Sequence, residues 1–325
     1  MLSRVADSLY WMSRYLERAE HTARLIDVQL SQMLEDAGAD ADLRWQRLLR
    51  SLRVSLDVQT GAYDITYSLI FDQDNPSSIV SCIAAARENA RQVREQISSE
   101  MWEQLNLLYL QVKQTRMEQI WAAEPHKFLT SVKEGIYLFH GLLDATMSHS
   151  EGWHFIRVGR FLERATSTAA LLDGHFEVFP IEATQYESEP LGYLSWVGLL
   201  RSCASFEAYC KVHTAVIRPA QVVEFLLLNA DAPRSVRFAC ARMQDGLQAI
   251  AKTTNTRNSG RVERLTGRLR ASLDYYQIDE ILSDDMHEYL ESIQRQCVLI
   301  HSGLYQVYLA YPIEVALTSR NAAHA

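Results

Sequence analysis

The sequence predicts an all-α fold: an internally duplicated helical bundle whose two pseudo-equivalent halves pack into one unit. Three observations carry that expectation. Residues 11–27, WMSRYLERAEHTARLID, return 146 positions later at 157–173 as RVGRFLERATSTAALLD, with nine of seventeen positions identical. Unrelated segments agree by chance at roughly one position in seventeen, so a match this dense reads as an internal repeat. Breakers are scarce, with 13 Gly and 7 Pro in 325 residues, and long stretches rich in Leu, Ala, Arg, Glu and Gln favour helices over a turn-rich β architecture. In the first such stretch Leu9, Met12, Leu16, Ala19, Ala23, Ile26 and Leu30 recur at the three- and four-residue spacing of a helix face.

The repeat extends along the chain. Trp45, Leu48, Leu49, Arg50 and Ser51 are echoed by Trp196, Leu199, Leu200, Arg201 and Ser202 at an offset of 151. Pro76-Ser77-Ser78-Ile79 is answered by Pro233-Arg234-Ser235-Val236 at 157, and Leu129, Ser131, Leu138, His140 and Leu143 by Leu290, Ser292, Leu299, His301 and Leu304 at 161. Offsets that only grow describe colinear copies with residues added in connecting loops, where insertions cost least. The expected division is residues 1–150 and 151–325, two helical repeats fused into one globular unit.

The elements follow in order. A first helix is expected over about 3–34, a loop over 35–42 (EDAGADAD), and a second helix over about 43–60 around Trp45, Leu48, Leu49 and Leu52. Asn75 before Pro76 predicts the next helix start, because Asn caps and Pro suits a first turn whose N–H is not needed. That helix carries Ile79, Ile83, Ala86 and Ala90, and another is expected over about 99–122. Pro125 opens a helix ending near Met147. In the second half Pro219 and Pro233 read as helix starts, residues 174–190 as the main linker, about 284–309 as a long final helix, and the end TSRNAAHA as a frayed tail.

Composition narrows the function classes. With 48% hydrophobic and 22% charged residues the chain has the balance of a soluble globular protein that can bury a large core. Charges at Arg4, Asp7, Arg14 and Glu17 interrupt any apolar core an export signal would need, so a cytoplasmic location is expected. The most apolar run, residues 222–228, contains Glu224 and falls far short of the roughly twenty apolar residues of a membrane span. A net charge of -8 argues against a nucleic-acid binder. Five cysteines, Cys82, Cys203, Cys210, Cys240 and Cys297, have no CxxC spacing and read as buried thiols in a reducing compartment. No cofactor is implied, for the chain has no HExxH, GxSxG or P-loop motif.

The paired Glu-Arg elements are the candidate site. At 100° per residue Arg14, Glu17, Arg18 and His21 share a stripe opposite the main apolar face, and Arg160, Glu163 and Arg164 repeat it. Large apolar residues bracket the charges on the same stripe: Tyr10, Leu25 and Val28 in the first element, Ile156 and Leu171 in the second. A covered face with a polar seam follows, and Arg suits it because its planar head bonds carboxylates in pairs and stays charged. Three readings stand side by side: an ion-pair network that fixes how the halves dock, an anion site in which a carboxylate or phosphate completes the pairing of two Arg against one Glu, and catalysis by Glu17 or Glu163. Two flanking Arg would lower a carboxyl pKa, the wrong direction for a base near neutrality.

Weaker candidates lie elsewhere. Glu151 and His154 have the spacing of one di-iron ligand pair, but that chemistry needs a second pair and two more Glu. Asp284, Asp285 and Glu288 resemble the aspartate-rich magnesium motif of all-helical isoprenoid synthases, which would make the alternative function a metal-dependent enzyme; acidic residues at a helix start are also expected for the dipole alone. His140 and His301 occupy equivalent positions and read as satisfied core histidines.

Residues 10–20, YWMSRYLERAE, and 159–165, GRFLERA, together with 86–94, ARENARQVR, and 100–106, EMWEQLN, resemble the alpha-E family, bacterial all-helical proteins named for their Glu-Arg motif. The resemblance covers essentially the whole chain. It implies an all-helical accessory protein encoded beside a circularly permuted ATP-grasp ligase and a transglutaminase-like peptidase, with the ligase supplying the ATP site and this chain acting as scaffold or substrate presenter. A homodimer is compatible with it. The second half departs from the first where His21 and Arg24 become Ser167 and Ala170, which shortens its polar seam.

Overall fold

Two long helices, α1 (Ser3–Glu35) and α8 (Glu151–Phe176), pack along one another at the centre of the computed structural model, which describes residues 1–35, 41–56, 61–122, 125–176, 190–214, 216–254, 260–283 and 285–310. At 1.5 Å per residue α1 is about 50 Å long. Helices joined by turns make up the described residues, with no strand among them. In the first part of the chain α2 (Ala41–Ser51), α3 (Ala62–Ile70), α4 (Ile79–Gln92), α5 (Ser99–Gln114), α6 (Met117–Ala122) and α7 (Pro125–Thr146) follow α1. After α8 come α9 (Pro190–Ser202), α10 (Phe206–His213), α11 (Pro219–Leu228), α12 (Val236–Thr254), α13 (Gly260–Tyr275), α14 (Ile278–Ser283) and α15 (Met286–Leu304), the last continued by one wide turn at Tyr305–Leu309.

The packing partners explain why α1 and α8 are enclosed. α1 lies against α4 and α7, with α5 closing that cluster; α8 lies against α12 and α15, closed by α13. Two shorter helices cross between clusters: α2 packs chiefly on α8, and α9 on α1. All seven residues of the α1 apolar face are buried, but so is its other side, where Tyr10 is sealed and Leu25 nearly so. In α8 Phe155, Ile156, Val158, Leu162, Ala165, Ala169 and Leu172 are all within the core. Polar side chains tie the far ends. Asp27 of α1 meets His126 at 2.7 Å and Lys133 at 2.5 Å on α7, and Asp173 of α8 meets His287 at 2.6 Å and Gln294 at 3.2 Å on α15.

Several boundaries differ from expectation. α4 begins three residues after Pro76, with Ser78 as cap accepting from the Ser81 N–H at 3.2 Å; Asn75 instead accepts from the Ser77 N–H and forms the preceding turn. α12 likewise starts after Pro233, where Ser235 accepts from the Phe238 N–H at 3.0 Å. In both turns a hydroxyl at the true cap position outcompetes the Asn or Pro signal upstream. α2 stops at Ser51 rather than near 60. Its end is a Schellman closure: Val54 N–H reaches Leu49 C=O, Arg53 N–H reaches Arg50 C=O, and Arg53 adopts φ 55°. That left-handed position carries Arg and not Gly, so composition gave no stop signal there. The stretch 99–122 is two helices, because Thr115 turns extended (φ -80°, ψ 143°) at the end of α5. α8 continues through Gly174 to Phe176, whereas residues 36–40, most of the expected linker (177–189) and the tail from 311 lie outside the described residues. Pro125 and Pro219 do open α7 and α11.

α1 and α8 approach one another closely at Gly159, directly before Arg160. A Cβ built there would lie 2.4 Å from the Tyr10 carbonyl oxygen and 2.4 Å from Ser13 Oγ, both in α1. Only a residue without a side chain lets the backbones meet this way. We expect Gly159→Ala to cost about 1–3 kcal/mol through forced separation of the helices. Gly141 in α7 has nothing within 4 Å of the same position, so Gly141→Ala should gain up to about 1 kcal/mol from helix propensity. Denaturant unfolding of both variants checks the contrast.

Candidate functional site

The seam is built reciprocally from α1 and α8. Because side chains three and four residues apart share a helix face, Arg14 and Arg18 leave α1 together and close on the motif carboxylate of α8, Glu163. Arg14 Nε donates to Glu163 Oε2 at 2.7 Å and Arg18 Nε to Glu163 Oε1 at 2.7 Å. In the opposite direction Arg164 donates to Glu17 in bidentate fashion through one edge of its guanidinium, Nε to Oε1 at 2.6 Å and Nη2 to Oε2 at 2.9 Å, while Arg160 approaches the same carboxylate at 3.5 Å. Glu17 is 1% exposed, Glu163 5% and Arg164 4%. These are charge-assisted, partly bidentate contacts in a low-dielectric interior, the strongest class of side-chain hydrogen bond.

Around Glu17 the network grows larger than the motif. Arg234, from the turn before α12, bridges Glu17 at 2.9 Å and Glu20 at 2.8 Å. Glu20 also accepts from the Tyr137 hydroxyl at 2.8 Å and from Arg24. Arg164 adds a bond to the Pro233 carbonyl at 3.0 Å, which ties the α12 turn to the seam. On the Glu163 side the extension is different: Arg14 also donates to the Tyr10 hydroxyl, and Tyr10 meets His301 Nδ1 at 2.8 Å. The Arg14 guanidinium lies 4.8 Å from the Trp11 ring centre, a cation–π contact.

Ionisation follows from this geometry. Burial pushes the Glu17 carboxyl up, but Arg164, Arg234 and Arg160 outweigh it and hold it well below the usual carboxylate range. Glu163 is lowered in the same way, with Arg14 and Arg18 overcoming burial, and Glu20 falls to about 2 under Arg234 and Arg24. Burial and the neighbouring Arg234 pull Arg164 down to about 10, still charged at neutral pH. Burial also lowers His21 and His301 to about 4, so both are neutral at pH 7.

Among the expected site residues, Arg14, Arg18 and Glu163 meet, as do Glu17, Arg160 and Arg164. His21 is buried beside them with its Nε2 lacking a partner. The two core histidines part company. His301 is satisfied by Tyr10, whereas both ring nitrogens of buried His140 lack hydrogen-bond partners among the described residues, contrary to the expectation of a satisfied histidine. Asp285 is the cap of α15 and accepts from the N–H groups of His287 and Glu288; Asp284 lies outside the described residues. Glu151 and His154 open α8, and among the described residues no three His, Cys, Asp or Glu side chains converge as a metal site requires. The cysteines are unpaired thiols, four buried and Cys210 half-buried. No described helix is long and apolar enough to cross a membrane.

Sequence reasoning missed Arg234, Glu20, Arg24 and Tyr137. A signal for the first was present: Arg234 stands where the first half has Ser77, an asymmetry inside an otherwise repeated turn. Arg24 was visible as a departure from the second copy, but its partner could not be read without the helix packing.

An all-helical domain organised by a buried Glu-Arg motif is the class these features define. The chain belongs to the Alpha-E family, described as a predicted alpha-helical domain with a conserved ER motif, which it matches over residues 1–309. It is similar to uncharacterised proteins of Mycobacterium bovis and Mycobacterium tuberculosis, at 25% identity over 94% of this chain. It spans 36% of the length of each of those relatives. No solved structure matches it.

Two outcomes follow. Arg164→Met should cost about 3–5 kcal/mol, since it strips a buried carboxylate of its bidentate partner, whereas Arg295→Met, which breaks an exposed pair with Glu291, should change stability by less than about 1 kcal/mol. Chemical denaturation distinguishes them. Acid should destabilise the fold in two stages. Below the unfolded histidine value of 6.5, the unfolded chain takes up protons that His21 and His301 refuse until about 4, so stability falls across that window. From 4.5 downward the depressed Glu17, Glu163 and Glu20 carboxyls add a second loss that continues to about 2. Exposed His287, raised by Asp173, takes up its proton above 6.5 and adds a small stabilisation that is complete before the first stage begins. Unfolding midpoints measured from pH 6.5 to 3 should fall monotonically.

Proposed function

We propose that the chain is a non-catalytic scaffold, built from two tandem helical repeats (1–150 and 151–325), that presents an anionic peptide or metabolite to an ATP-grasp amide ligase and works beside a transglutaminase-like peptidase. The observation that carries the non-catalytic reading is the state of the motif carboxylates. Glu17 and Glu163 are each enclosed by at least two guanidinium groups and held ionised, which makes them weak proton acceptors near neutrality. Their geometry suits bracing and ion binding instead.

Matched contacts support the tandem build. Asp27 with His126 and Lys133, and Asp173 with His287 and Gln294, fall at the same offsets of 146 and 161 as the repeated sequence. Arg53 and Ala204, 151 residues apart, both adopt left-handed φ at the ends of α2 and α9. The partner assignment rests on the family resemblance and on the chain's lack of a phosphate-cradling loop motif.

Affinity purification of the full chain from its native host tests the partnership. An ATP-grasp ligase, the partner the family resemblance implies, should co-elute at physiological salt. Recovery of the chain without that ligase, at native expression of both, would remove the partner reading.

A further inference from the structure

The two carboxylates of the seam sit in unequal surroundings. Around Glu17 the space is filled by Arg234, Glu20 and Arg24, whose aligned positions on the other side hold the shorter Ser77, Thr166 and Ala170. There, beside Glu163, lies a cavity of about 250 Å³. Arg14, Arg18 and Arg53 line it against the single carboxylate of Glu163, which leaves two positive charges in surplus.

Unmet donors face this space. Arg18 engages Glu163 through Nε only, and its terminal nitrogens have no hydrogen-bond partner among the described residues. His21, 6% exposed, lines the cavity with its Nε2 unpartnered. The Ser77 and Ser167 side chains contribute to the same wall. Arg53 is exposed at the mouth, where its left-handed backbone directs the guanidinium to Gln294 of α15.

Arg53 and Ala170 also belong to the wall of a second, open space of about 740 Å³ between α8 and α15, beside Asp173, His287 and Glu291. Cavity and groove therefore adjoin at Arg53 and Ala170.

We propose that the Glu163 cavity binds a compact dianionic group, a phosphate or a dicarboxylate, with the remainder of its carrier lying in the adjoining groove. A dianion matches the surplus of two guanidinium charges, whereas a monoanion would leave one of them without a counter-charge. The site deepens the scaffold reading by locating where the presented anion is held, and it does not depend on the partner ligase.

Calorimetric titration of the full chain with inorganic phosphate, succinate and acetate tests it. Phosphate or succinate should bind at one site, with acetate at least about tenfold weaker. Arg53→Met, at the exposed mouth, should weaken the dianion about tenfold without shifting the unfolding midpoint. The double variant Ser77→Arg/Thr166→Glu, which imports the residue types of the filled side, should abolish binding while the protein stays folded. No saturable binding of phosphate or succinate up to about 10 mM, or undiminished affinity in Arg53→Met, would overturn the proposal, as would undiminished affinity in a folded double variant. Dianion binding without ligase recovery would remove only the partner reading. Ligase recovery without dianion binding would remove only the cavity.

Discussion

Two helices that are buried on every side and still carry charge must find the counter-charges inside the protein. That constraint organises this structure. α1 and α8 each belong to a four-helix cluster and are covered further by one crossing helix, so the stripes bearing Arg14, Glu17, Arg18 and Arg160, Glu163, Arg164 are largely shielded from solvent, with both carboxylates and Arg164 buried. An isolated buried ion costs several kcal/mol even after the protein relaxes. The motif meets this by exchange: the arginines of each helix serve the carboxylate of the other. Gly159 brings the backbones close enough for the exchange, and the Arg234 turn locks α12 onto the same cluster.

Such networks add little net stability over a well-packed apolar seam, because desolvation offsets most of the Coulomb gain. What they specify is register. Sliding α1 along α8 by one turn, about 5.4 Å, would separate Glu17 from Arg164 and Glu163 from Arg14 at once, whereas an apolar seam tolerates such a shift far better.

Much of this was legible in the sequence, for particular reasons. Periodicity exposed the buried face of α1 because seven apolar residues at helical spacing rarely arise outside an amphipathic helix. The bracketing of charges by Tyr10 and Leu25 showed that the second face is covered as well. Element ends were harder. α2 ends on a left-handed arginine, and α4 and α12 begin at serines downstream of stronger Pro and Asn signals, so local chemistry at one residue decided each boundary. The Glu20, Arg24, Tyr137 and Arg234 extension depends on which turn of α12 lies beside which turn of α1, a tertiary fact that no single-helix pattern encodes. The contrast between a filled and a hollow side was written in the substitutions Arg234 for Ser77 and Glu20 for Thr166, but it acquires meaning only once both are placed around the two carboxylates.

The central claim is that α1 and α8 are coupled through ion pairs that act as a unit. A double-mutant cycle on Glu17→Gln and Arg164→Met, read by denaturant unfolding, measures that coupling directly. Contacting members of a buried network should give an interaction energy of at least about 1 kcal/mol, with the double variant less destabilised than the two single losses added together. Additivity within about 0.5 kcal/mol would contradict the account.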